Sequence, residues 1–509
     1  MRLCSALCAG LVLLGLSILR AESRAGSVWS ATSPEQAKLA LHVRDPEGRP
    51  IEARVRVAPS DWAERVRLRS FGDLRRTLDV AGAELTLAPG NYRVFVSRGP
   101  EWSIAEFKFH AQGGTHALRN LELRHEVSLP GWHGADLHVH TPQSSDAAEH
   151  GGGVRALDLI AEGVELAVGT DHNRIGGVGP GIESLAGAEI TTWQPEIGHF
   201  NAFPLRRLPR WRRTTPEALF ADLMRDPDVF VQINHPRLDD HIAYFALGGF
   251  EDMQFSRAGF DLEVDGLEVW NGFDISRPER VEALLREWRA WVSRGHRLTA
   301  TGGSDSHGSA QHRPGYPRTY VRTARADELA SRLKAGQAFV TNGPLLELRV
   351  EGAGPGETVK VGASDVVDVE LSVRAPSWMR VETVELWADA SLRLRARVVP
   401  APRGQPLAWT LHTRLALAHA SMLQAVAHGG AGLERLLGRS GVPPFAFTNA
   451  VRFERAAQDQ RDAAAATLAL SSSACDSFAT PQACSSQLRD SRVARGTSAP
   501  RPRDRQRAR

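Results

Sequence analysis

The chain is poor in the residues that would assign it to several familiar classes. Of its 509 residues only four are cysteine, and these sit near the ends, at Cys4, Cys8, Cys475 and Cys484. Everything between is expected to fold without disulfides, which a core of this size does not need. A Cys-rich structural zinc site is excluded on the same ground. Lysine occurs only at Lys38, Lys108, Lys334 and Lys360, a scarcity that reads as codon bias toward arginine. With 62 Lys+Arg against 59 Asp+Glu the formal charge is +3, so there is no electrostatic case for nucleic acid.

Long apolar runs are missing too. The stretch 11–19, preceded by Arg2, is short for a membrane span and has the flanks of an export signal, with a cleavage step at Ser23-Arg24-Ala25. Residues 1–25 are therefore expected to be a signal peptide, and the mature protein to be secreted or periplasmic. Leu7 is not the small residue that a lipid-modified Cys8 would need before it, so lipid anchoring is not expected.

What is present is one arrangement repeated five times: an apolar run that ends in histidine and carboxylate. The instances are Asp136-Leu137-His138-Val139-His140-Thr141, then Thr170-Asp171-His172, then Glu189 with His199 ten residues on, then Asn234-His235-Pro236-Arg237, and Asp305-Ser306-His307. Short β-branched runs of this kind read as buried strands, and parallel α/β barrels collect their chemistry at strand C-termini. Singly each has an ordinary reading. Alternate residues share a strand face, Asp171 suits a helix N-cap, and Asn234-His235-Pro236 suits a turn. Five together point to a shared metal centre. Imidazole with carboxylate suits zinc, manganese or iron better than magnesium, and paired ions would bring a shared water to hydroxide near neutral pH.

The order of these motifs resembles the PHP (polymerase and histidinol phosphatase) superfamily of metallohydrolases. The entry from Trp132 to Thr141, the string Glu268-Val269-Trp270-Asn271-Gly272 and the string Thr341-Asn342-Gly343-Pro344 are similar to its carbaryl-hydrolase-like branch. The resemblance covers about 135–344. It implies an α/β fold, a distorted (β/α)7 TIM-like barrel, with two or three divalent ions in its mouth. His138, His140 and Asp305 would hold one ion and Glu189 would bridge to a second, completed by His199 and His235. A third would use His172 and His307, with Asp146 where relatives often have histidine. Asp171 would orient His172 from behind. Asp305 and His307 would move protons, and Arg237 would grip an anionic substrate group or else form a surface ion pair. Trp270 and Asn271 are candidates for the cleft wall, with core packing the competing role of the tryptophan.

On either side the pattern turns to alternating strands. Residues 35–127 are similar to a carboxypeptidase-regulatory or transthyretin-like sandwich, with runs at 40–44, 53–57 and 92–96. Residues 345–456 read as a second β-sandwich, although 415–437 could be helix or insertion, and 457–509 read as a disordered tail. Helices are expected over 215–224, 277–292 and 326–336, where apolar residues recur at three and four. The expected function is cleavage of a small-molecule ester by a metal-bridging hydroxide, with phosphoesters first. A carbamate or carboxylic ester is the alternative, and a non-catalytic metal-stabilised binding protein the remaining one.

Overall fold

The computed structural model describes residues 36–68, 73–147, 153–238, 241–308, 313–362, 364–430 and 432–455. The expected signal peptide, the tail at 457–509 and all four cysteines lie outside them. The described residues up to Glu454 belong to one compact unit; of a second, 455–509, only Arg455 is described. No helix among the described residues is long and apolar enough to cross a membrane.

Alternation builds the N-terminal module. In Ala37–Arg44 every second side chain is buried, as a strand with one solvated face requires. This strand pairs antiparallel with Ala83–Leu87 and parallel with His116–Glu122. A second sheet runs Leu74–Leu78, Ala53–Pro59, Gly90–Ser97, Ala105–Ala111, antiparallel throughout. Leu39, Leu41, Val55, Val57, Val94 and Val96 form one apolar cluster between the two sheets, separate from the main core.

The barrel expectation is overturned. Among the described residues strand makes up 43% and helix 14%, with seven α-helices, so the architecture is sheets and a half-barrel rather than a (β/α)7 barrel. The five-stranded sheet runs Ala188–Thr191, His199–Phe203, Phe230–Ile233, Gly266–Asn271, Thr299–Gly303. Its first two pairings are antiparallel and its last two parallel. The reason lies in the connections. Antiparallel neighbours can be joined by a short turn, whereas parallel ones need a crossover. Only seven residues separate Thr191 from His199. The link from Gly169 to Glu183 holds Gly176, Gly177, Gly179, Pro180 and Gly181, which no helix would sustain.

The long helix forms where expected. Pro278–Ser293 buries Val281, Leu284, Leu285, Trp288, Trp291 and Val292 along one stripe. Pro216–Leu223 opens on proline, with Thr215 Oγ1 accepting from the Ala218 amide. Ala326–Lys334 is the third.

Strands from beyond 345 share a sheet with the site, while Leu345–Val350, Val366–Ala375 and Leu407–Ala416 form a three-stranded sheet of their own. The site strand His133–Val139 belongs to an 11-stranded sheet that continues through Arg318–Val321 and Ala338–Thr341 into Phe445–Thr448, Met422–Gly429, Val381–Ala388 and Ser391–Arg397. One apolar core accordingly extends from Val127 through Trp270 and Trp288 to Leu371 and Val451. The segment 415–437 supplies the strand Met422–Gly429 and the short helix Leu433–Leu437.

Candidate metal centre

The two large sheets meet through main-chain bonds at the motif residues. Asp305 N donates to His138 O (2.8 Å) and His140 N to Ser306 O (3.0 Å) on one side. Asn173 N donates to Glu189 O (2.8 Å) on the other. His199 opens its strand instead of closing it. Because that strand is antiparallel to Phe230–Ile233, its start lies at the end of the sheet where His235 leaves.

Glu189 is the hub. Its Oε1 lies 3.4 Å from His138 Nε2, 3.2 Å from His199 Nδ1 and 3.3 Å from His235 Nε2. Its Oε2 lies 2.9 Å from His172 Nδ1 and 3.5 Å from His140 Nε2. Asp305 Oδ1 lies 3.3 Å from His138 Nε2 and 3.1 Å from His140 Nε2. At the more open edge, Asp146 Oδ2 sits 2.7 Å from His307 Nε2 and 3.2 Å from His172 Nε2.

These groups fit a metal. The Nε2 atoms of His138 and His140 are buried and make no hydrogen bond, although carboxylate oxygens surround them. Buried polar atoms are otherwise almost always paired. Three clusters bring their ligand atoms within 4.8 Å of one another: His138, His140, Glu189; then His172, Glu189, His199; then His140, Asp146, His172, His307. His and acidic residues here can hold a metal ion.

A second layer fixes the imidazoles. Glu268 Oε1 lies 2.9 Å from His138 Nδ1, which leaves Nε2 to face Glu189 and Asp305. Glu268 Oε2 accepts from His235 N (2.8 Å) and Asn271 Nδ2 (3.0 Å), and Asn271 also donates to Asp305 Oδ2 (3.1 Å). Asn234 Nδ2 donates to Glu189 Oε1 at 2.9 Å. Asp171 accepts from Thr141 N and Oγ1, both at 2.7 Å, and so braces the turn after His140 instead of touching the His172 ring. His140 Nδ1 lies 3.1 Å from Ser144 Oγ, which in turn donates to Asp146.

The backbone is strained where the ligand residues leave their strands, with φ of 27° at His235 and 50° at Asp305. Such conformations persist where the surroundings dictate them. Gly303 leaves room: a Cβ there would lie 2.6 Å from His138 Cβ.

Charge is concentrated accordingly. Burial opposes ionisation of Glu189, yet His172, His199 and His138 hold its carboxyl well below the usual range. Asp305 behaves likewise under His138 and His140. Burial also works against the imidazolium of His172 and His199, but Glu189 outweighs it and raises them to about 10 and about 9. Burial wins at His140, which falls to about 4.

The structure thus brings together His138, His140, Glu189, His199, His235, Asp305, His172, His307 and Asp146. Arg237 stands apart. Its guanidinium makes two bonds to Glu287, at 3.0 and 2.7 Å, and lies over the Phe245 ring. Trp270 is core, edge-on to Phe445 at 5.4 Å. Sequence reasoning gave Glu268 no role. Its signal was a lone carboxylate inside an apolar strand, the same pattern that marked Glu189. No family model, no curated protein and no solved structure matches this chain.

Proposed function

We propose that this protein is a metal-dependent hydrolase of the PHP superfamily that cleaves esters with activated water, phosphoesters first. The superfamily assignment rests on motif order and not on the barrel it implied. One observation carries the function: a single buried carboxylate, Glu189, lies within 3.5 Å of a nitrogen on each of five histidines. Two or three zinc, manganese or iron ions would be held by His138, His140 and Asp305, by His199 and His235, and by Asp146, His172 and His307, with Glu189 shared. Bound there, the ions would acidify water and polarise the ester.

The chain's own groups do the rest. Asn271 anchors Asp305 Oδ2 and leaves Oδ1 toward the site to accept a proton from attacking water. With two ions bound and no third, His307 and His172, beside Asp146 at the more open edge, would be placed to protonate the leaving group. Export through residues 1–25 belongs to the same proposal.

A specific observation favours the second reading, a carbamate or carboxylic ester. Arg237 is committed to Glu287, and the cavity of about 270 Å³ beside His235 and Asn271 has an apolar wall of Leu238, Val269, Val281 and Leu284, with Arg237, Arg280, Asp274 and Glu268 on the rest of its lining. A neutral ester needs such apolar walls more than extra cations. The metal-loaded full chain should be assayed with p-nitrophenyl phosphate, bis-p-nitrophenyl phosphate and 1-naphthyl N-methylcarbamate. Turnover of a phosphate supports the first reading and of the carbamate alone the second. Bound metal without turnover of any of them argues for a binding protein.

A further inference from the structure

A large cavity lies away from the metal centre. A cleft of about 1130 Å³ opens between the N-terminal module and the C-terminal sheet, between Ser103 and Ile104 on one wall and Val381 and Thr383 on the other. Its walls are fixed to each other. Trp378 Nε1 donates to Trp102 O at 2.8 Å, and Glu126 accepts from Ser377 N and Oγ at 2.7 and 3.0 Å. The loop that forms its rim carries Pro400 and Pro402, whose fixed φ stiffens it.

The lining is cationic in a chain that is nearly neutral. Five arginines face the cleft, Arg124, Arg380, Arg397, Arg403 and Arg435, against two carboxylates, Glu126 and Glu382. Glu126 is taken up by Ser377. Arg124 and Arg435 have acidic neighbours no closer than 3.8 Å. Arg380, Arg397 and Arg403 are exposed, and no described residue pairs with them. Between the charges lie two apolar side chains, the half-buried Trp378 ring and Val399, which is 68% exposed.

We infer that this cleft binds an acidic oligosaccharide, a chain of pyranose rings bearing carboxylate or sulfate groups. Guanidinium planes match such groups in bidentate fashion. The apolar strip accepts the C–H face of a sugar ring, and Ser103 and Thr383 offer hydroxyls to its oxygens. A single-stranded nucleic acid fits less well, because it is recognised by successive aromatic platforms and the lining has one aromatic residue, Trp378. The cleft would hold a polymer while the metal centre works elsewhere on the chain.

Calorimetric titration of the full chain at low salt tests this, with short oligogalacturonates and sulfated dextran oligomers as probes. Neutral malto-oligosaccharides, oligothymidylate and oligoglutamate are the controls. Saturable binding of an acidic oligosaccharide is expected, weakened at least about tenfold in Arg380→Ala/Arg397→Ala/Arg403→Ala and falling with added salt. Because uronates also bind metals, the same titration is run on His138→Ala/His140→Ala, where affinity should be unchanged. The galacturonate and sulfate arms distinguish the two sources of charge. No binding, equal affinity of the arginine variant, loss of binding in the histidine variant, or tighter binding of oligothymidylate or oligoglutamate would each overturn the assignment.

Discussion

Glu268 Oε1 lies 2.9 Å from His138 Nδ1, and both side chains are fully buried. The pair sets which nitrogen of His138 turns toward Glu189 and Asp305. Carboxylates behind metal-binding imidazoles raise their basicity and hold the ring, and losing one costs about 10–100-fold in affinity. Glu268→Gln is therefore predicted to weaken metal binding by that order while the fold is retained. Competition with a chromophoric chelator measures it, and unchanged affinity would detach Glu268 from the centre.

Gly303 is predicted to tolerate no side chain. An added Cβ would meet His138 Cβ at 2.6 Å and Glu268 Oε1 at 3.0 Å, both held in a packed interior. Gly303→Ala should lose about 1–3 kcal/mol of stability, as overpacked cores do, and should bind less metal. Chemical unfolding read alongside metal content checks both.

Metal loading should release protons. Burial opposes it, yet Glu189 raises His172 to about 10 and His199 to about 9, so both carry a proton at neutral pH without metal. A metal ligand must be neutral imidazole. These histidines stabilise the metal-free protein fully below their unfolded value of 6.5 and cease to as pH rises through about 9 to 10. Binding enthalpies measured near pH 7 in buffers of different ionisation enthalpy should differ; identical values would contradict the assignment.

The N-terminal module is tied to the site region by buried charge. Glu162, with a fully buried side chain, lies 3.2 Å from Arg54 Nε and also accepts from Arg313, whose Nη2 donates to Ser97 at 3.0 Å. Glu162→Gln takes the counter-charge from Arg313 and leaves Arg54 with Asp158, at 3.2 Å, and should cost about 3–5 kcal/mol, as breaking a buried pair does. A shift below about 1 kcal/mol in denaturant unfolding would show the network to be dispensable.

Ligand chemistry was legible because it is local. Each of His138, His172, His235 and Asp305 follows or ends its own apolar run, and a run with a polar end can be read without knowing its neighbours. Helices at 216–223 and 278–293 were legible for the same reason, from stripe and proline. The sheet order was not. Whether Ala188–Thr191 and His199–Phe203 lie antiparallel depends on the seven residues between them, and the strand pattern is the same either way. Likewise 381–388 reads as a strand while 422–429 reads equally as helix, and nothing in either says that they extend the sheet of His138. Glu268 was missed because its partner stands 130 residues away.

The most direct test of the account is metal content. The full chain, stripped and reconstituted with zinc, manganese or iron, should retain at least two ions after dialysis by elemental analysis. His138→Ala/His140→Ala should retain fewer and lose ester turnover with them. A reconstituted wild-type chain that holds no transition metal would contradict the account, since Glu189 and its five histidines would then be an ion-pair network and not a metal centre.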